Sequence, residues 1–141
     1  MRDCIRSAMT EGSEGSISPE TAARYCPVFQ ETVPAVWQTY WADSFAILHP
    51  TAVICLHEKW LFSLYGFCAA RGLRIPQDVS VLSMTSSESL AWCHPRPVCM
   101  RYPDHRSVAC FKSWVRGGCQ PTGFKLLRLQ EMQGGSIASR S

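Results

Sequence analysis

Hydrophobic and polar residues alternate along the chain in two rhythms, and each rhythm predicts its own kind of element. Ile5, Ala8 and Met9 sit at helical spacing before Gly12, Ser13, Gly15 and Ser16 break the pattern, which predicts a short helix within residues 2–9. Ser18, Pro19 and Glu20 suit a further helical turn, and residues 25–29 suit a short extended segment confined to an edge by Pro27. Thr32, with Pro34 just inside the start, marks a helix N-terminus; Val36, Trp37, Tyr40, Trp41, Ser44, Phe45 and Leu48 then share one helical face. His49 and Pro50 end that helix. Residues 51–56 form a continuous, β-branched apolar run, the pattern of a central strand covered on both faces. Residues 58–71 are helical and apolar nearly all round, with Gly72 placed to stop the helix and Pro76 beyond it. Residues 78–82 make a second strand. Strand, helix and strand within about 30 residues define a βαβ unit, which makes the two strands parallel.

The segment 83–97 is polar and rich in turn residues, and it is long for a simple connection. Residues 98–102 read as a short strand, and Asp104 is placed to start a helix that carries Val108, Phe111, Trp114 and Val115 on one face before Gly117 and Gly118. Residues 124–129 alternate enough to predict a last strand, and 134–141 read as a tail. The expected fold is therefore α/β and three-layered, around a mostly parallel sheet of about four strands.

Composition sharpens this picture by exclusion. The 141 residues are 46% hydrophobic and 18% charged, which suits one globular domain rather than a disordered or fibrous chain. The formal charge of +3 comes from scattered basic residues, a poor footprint for nucleic acid. No stretch reaches about 18 uninterrupted apolar residues, and no export signal opens the chain, so neither a membrane span nor secretion is expected. Eight cysteines without a CxxC pair suit thiols held reduced in a cytoplasmic setting, where they pack as small hydrophobes.

Candidate chemistry is sparse. Cys93, His94 and Cys99 do not have the spacing of a zinc site, and Cys55 lies within an apolar strand where a thiol is inert, so no metal and no thiol nucleophile is expected. GxGxxG, Walker A, GxSxG and HExxH are all absent, so no enzyme and no cofactor is expected. The C-terminal edge of an open parallel sheet is where such folds bind ligands, and His57, Glu58, Thr85, Ser86 and Trp92 fall there. Hydroxyl and carboxylate groups beside an aromatic face suit a sugar ring. Each has a plainer role as well: Glu58 complements its helix dipole, Thr85 and Ser86 belong to a polar loop, and His57 stands evenly between the two.

Pro50-Thr51-Ala52-Val53-Ile54-Cys55, followed by a helix and then Gly72-Leu73-Arg74-Ile75-Pro76-Gln77-Asp78-Val79-Ser80-Val81-Leu82, resembles the C-terminal subdomain of LacI/GalR-type transcriptional regulators. Residues 97–102 resemble that family's crossover strand, 104–117 the helix after it, and 127–137 the last strand with its Gly-Gly-Ser-Ile ending. The match is close over 50–118 and extends over 2–137. The resemblance implies a partial periplasmic-binding-protein-like fold, residues 1–133, that senses a small-molecule effector such as a sugar and catalyses nothing. The family's acidic and amide ligands to the effector fall at His57, Glu58 and Thr85, all three of which depart from the usual residues. The resemblance also implies that DNA is bound only through a domain outside this sequence and that a homodimer is possible. It further implies that the helix over 103–118 faces a lobe outside this sequence, leaving Phe111, Trp114 and Val115 open as an interface. The alternative is a truncated regulator remnant that binds no effector and acts through protein association.

Overall fold

A computed structural model of the chain describes Ser18, Glu20 and residues 34–139. The expected helix over 2–9 and the extended segment over 25–29 lie outside the described residues. Two units divide at residue 48, Met1–Leu48 and His49–Ser141.

In the first unit, helix α1 (Pro34–Leu48) begins with Pro34, whose fixed φ suits a first helical position and whose missing N–H removes no helical bond. Trp37 and Trp41, one turn apart, are buried, whereas Val36 and Ile47 are exposed. Tyr40 and Phe45 meet the Trp41 ring edge-on, with centroids 5.6 and 6.5 Å away.

The second unit carries the sheet. Strand β1 (Ala52–Cys55) leads into helix α2 (Glu58–Arg71), strand β2 (Ser80–Ser83), a 3-10 turn (Glu88–Trp92), strand β3 (Val98–Arg101), helix α3 (Asp104–Arg116) and strand β4 (Gln130–Met132). The sheet order is β1-β2-β3-β4. β1 and β2 are parallel with Cys55 opposite Ser83, β2 and β3 are parallel with Ser83 opposite Cys99, and β4 returns antiparallel with Met132 opposite Cys99. The α/β class and the mostly parallel four-stranded sheet are as the sequence predicts.

α2 buries Leu61, Leu64, Phe67 and Cys68, a stripe at spacing 3, 3 and 1 that packs on the β1 side of the sheet. Together with Val79, Val81, Leu90, Val98 and Cys99 it forms the core. The helix stops at Gly72, which takes φ +68° at no steric cost and donates its N–H to Ala69 O. Arg74 and Asp78 then clamp the turn into β2 with two side-chain hydrogen bonds of 3.0 Å.

Three sequence expectations are corrected. β1 is an edge strand among the described residues rather than a central one, and Ile54 on its outer face is 57% exposed; a continuous apolar run cannot tell one covered face from two. The last strand is Gln130–Met132, not 124–129: Phe124 and Leu126 are fully exposed, because alternation without a neighbouring strand does not make a ladder. The segment read as a tail is built into the sheet. After β4 the chain passes Gly134, where a Cβ would come within 2.5 Å of Arg96 and Pro97 backbone atoms, so only glycine fits. Ser136, wholly buried, then occupies the gap between β2 and β3 upstream of their pairing. Its hydroxyl donates to Val81 O and accepts from Val98 N–H at 2.8 Å, and its carbonyl accepts from Val81 N–H at 2.7 Å. Ala138 N–H donates to Ser80 Oγ at 3.1 Å.

Replacing Ser136 by Ala strands a buried N–H and a buried carbonyl, which costs about 1–3 kcal/mol. The expected outcome for Ser136→Ala is a lower urea midpoint at unchanged slope, with the exposed Ser139→Ala variant as the unaltered reference.

Candidate functional site

The parallel strands β1 and β2 end at one edge, and His57, Glu58, Thr85 and Ser86 follow them in the chain there. Cys55 and Ser83 are opposite one another, and Met84 N–H donates to Cys55 O at 2.8 Å, so the segments after β1 and β2 leave the sheet side by side.

His57 is extended at the start of α2, and its carbonyl accepts from Trp60 and Leu61 N–H groups while its side chain makes no capping bond. Its exposed ring meets Trp60 edge-on at 4.9 Å. Glu58 opens α2, where a negative charge complements the helix dipole. One of its carboxylate oxygens is buried without a hydrogen-bond partner. Thr85 is folded back on the strand end: its N–H donates to the buried Ser83 Oγ at 3.3 Å, and Ser83 Oγ donates to Thr85 O at 2.9 Å. Trp92, at the end of the 3-10 turn, is 90% exposed.

The second unit holds a cavity of about 630 Å³, and Ser86 is the one of the five candidates that lines it. His57, Glu58, Thr85 and Trp92 lie outside its lining. Its remaining walls come from the 3-10 turn, from the segment around β3 and from β4, and they include Arg96, Arg101 and Arg106 together with Glu88 and Asp104. Sequence reasoning placed these three arginines in a loop, a strand and a helix and missed that they line one cavity. Their even spacing of five residues across a short strand is the signal that was available.

The thiols nearby are held protonated. Burial, reinforced by the neighbouring Cys68, pushes Cys55 up to about 12, and burial pushes Cys68 up to about 11. Burial and the Glu58 charge raise Cys93; burial raises Cys99, against the opposing pull of Arg96 and Arg101. Burial also raises the Tyr65 phenol, whose hydroxyl donates to Pro95 O at 2.9 Å and ties α2 to the loop before β3. Among the described residues no group of three or more His, Cys, Asp or Glu side chains is placed to hold a metal ion. No described helix is long and apolar enough to cross a membrane.

The model of the periplasmic binding protein-like domain family matches residues 6–109, most of the chain. The chain belongs to that family. Its fold recurs in solved structures of transcriptional regulators. A PurR family regulator from Vibrio parahaemolyticus is similar with a TM-score of 0.63 at 14% identity, over 79% of this chain and 42% of that one. A LacI family regulator from Bifidobacterium animalis gives 0.64 at 16% identity, over 79% and 42%. A LacI family regulator from Enterococcus faecium, solved with bound ribose, gives 0.57 at 17% identity, over 74% and 40%. The chain thus spans about two fifths of the length of these regulators. No curated protein matches it.

A thiol below its pKa is a poor nucleophile, so in the native chain at pH 8 Cys55 and Cys68 should react with a disulfide reagent only on unfolding. Both pKa values are raised above the ordinary 9.0, so the stability they contribute is complete below pH 9 and is lost as pH rises towards 12. Labelling kinetics and urea midpoints between pH 8 and pH 11 measure both effects.

Proposed function

We propose that the chain is part of the effector-sensing region of a cytoplasmic LacI/GalR-like transcriptional regulator, and that it performs no catalysis. The observation that carries this reading is the cavity beside β3, lined by Ser86 from the loop after β2 and by the residues that follow β3, in a periplasmic binding protein-like domain. Its volume lies within the roughly 300–1,000 Å³ of small-molecule sites, and its hydroxyl and carboxylate lining suits a polar ligand. The effector is a sugar, the chemistry suggested by the ribose held in the Enterococcus faecium regulator.

Ser86 contacts the effector in the cavity, with Thr85 supporting the same loop. His57, Glu58 and Trp92, outside the cavity lining, contact the part of the ligand that extends beyond the cavity. DNA is bound through another region of the regulator, and the sensing region dimerises.

The second reading is a regulator remnant that acts by protein association alone. It is favoured by α3, whose apolar face is open: Phe111 is 61%, Trp114 38% and Val115 48% exposed. A face of that kind in water marks an association surface.

Thermal unfolding followed by tryptophan fluorescence, with and without a panel of pentoses, hexoses and nucleobases, distinguishes the two. A ligand that binds the native state raises the melting temperature by mass action. A rise with one ligand class is the expected result. A transition that no ligand moves, together with a mass that grows with concentration, is the result that favours the remnant.

A further inference from the structure

The cavity has a feature that neutral sugar binding does not call for. Arg96 precedes β3, Arg101 ends it, and Arg106 lies in the first turn of α3, so an arginine from before, at the end of and after β3 lines one concavity. Among the described residues none of the three has an ion-pair or side-chain hydrogen-bond partner, although Glu88 and Asp104 line the same cavity. Arg74 shows the contrast, since its guanidinium is held in a two-point clamp by Asp78. Each guanidinium carries five N–H donors in a planar fork, a geometry that matches carboxylate and phosphate oxygens. Arg96 and Arg101 also both act on the buried Cys99 thiol, which places their charges around one point of the wall.

We propose that the cavity takes a small polyhydroxyl ligand that carries an anionic group, a phosphate or a carboxylate, with Arg96, Arg101 and Arg106 as its cationic contacts. This rests on the effector-sensing reading of the same cavity and narrows it from sugars in general to acidic ones. Three cations against two carboxylates leave a positive excess for the anion. Glu88, Asp104 and Ser86 supply acceptors for the hydroxyl groups of the ligand body. A neutral sugar would satisfy the carboxylates and leave the three forks to water.

The test measures the melting temperature of the full chain in ribose, ribose 5-phosphate, glucuronate and inorganic phosphate, with ionic strength held equal by sodium chloride. Holding it equal removes the general effect of screening. The expected result is a rise with ribose 5-phosphate or glucuronate at concentrations about tenfold below those at which ribose acts, as a charge-assisted hydrogen bond provides. Arg101→Gln and, separately, Arg96→Gln should each weaken that response about tenfold or more. Both side chains are exposed, so the folded state tolerates either change.

Ribose acting as well as ribose 5-phosphate, or a response only to neutral sugars, would overturn the acidic ligand and leave effector sensing standing. An acidic-sugar response that survives both arginine variants would overturn the assigned contacts. Inorganic phosphate acting as strongly as the phosphorylated sugar would overturn the polyhydroxyl part. No response to any compound, neutral or acidic, would overturn both readings together.

Discussion

The hydroxyl of Ser136 joins two parallel strands where they do not yet pair with each other. β2 and β3 come into register only from Leu82 and Val98 onward, so upstream of that point their backbone groups need other partners. Ser136 supplies them, donating to Val81 O and accepting from Val98 N–H, while its own carbonyl takes the Val81 N–H. A buried backbone group left without such a partner costs as much as a lost hydrogen bond, so the stagger of the two strands depends on this residue. Gly134 lets the chain reach it, by passing against the Arg96 and Pro97 backbone where no side chain fits.

That stagger positions the site. With β2 and β3 held in place, the 3-10 turn and the end of β3 line one cavity, and the first turn of α3 follows closely on β3. The cavity is the space left between these segments and β4, and its arginines are brought together by β3 carrying one at its end and one on either side. Tyr65, through its bond to Pro95 O, anchors the loop that brings Arg96 to the wall. The candidate site is thus a consequence of strand register, not of any local motif.

The βαβ unit was legible in the sequence because its signals are local: a β-branched run, a stripe of leucines and aromatics, and Gly72 at the helix end. The open face of α3 was legible too, since Val108, Phe111, Trp114 and Val115 mark an amphipathic helix whatever lies opposite. Ser136 was not, because its partners are 55 and 38 residues away and a serine among glycines reads as a solvated tail. The last strand was misplaced for the related reason that alternation in 124–129 carries no information about whether a neighbour is present. At the site, loop polarity drew attention to Ser86, which lines the cavity, whereas the placing of Arg96, Arg101 and Arg106 on that same cavity depends on tertiary geometry. The sequence resemblance and the family match meet on the same segment, with β1, α2 and β2 inside the matched residues 6–109.

The Ser136 crosslink closes the sheet on which the cavity depends. Residue-resolved amide hydrogen exchange of the native chain tests it most directly, because exchange at a hydrogen-bonded amide reports the opening of that bond. The Val81 and Val98 amides should be among the slowest in the His49–Ser141 unit, about a hundredfold or more slower than those of the exposed Phe124 and Leu126. Exchange at Val81 and Val98 as fast as at Leu126 would contradict it.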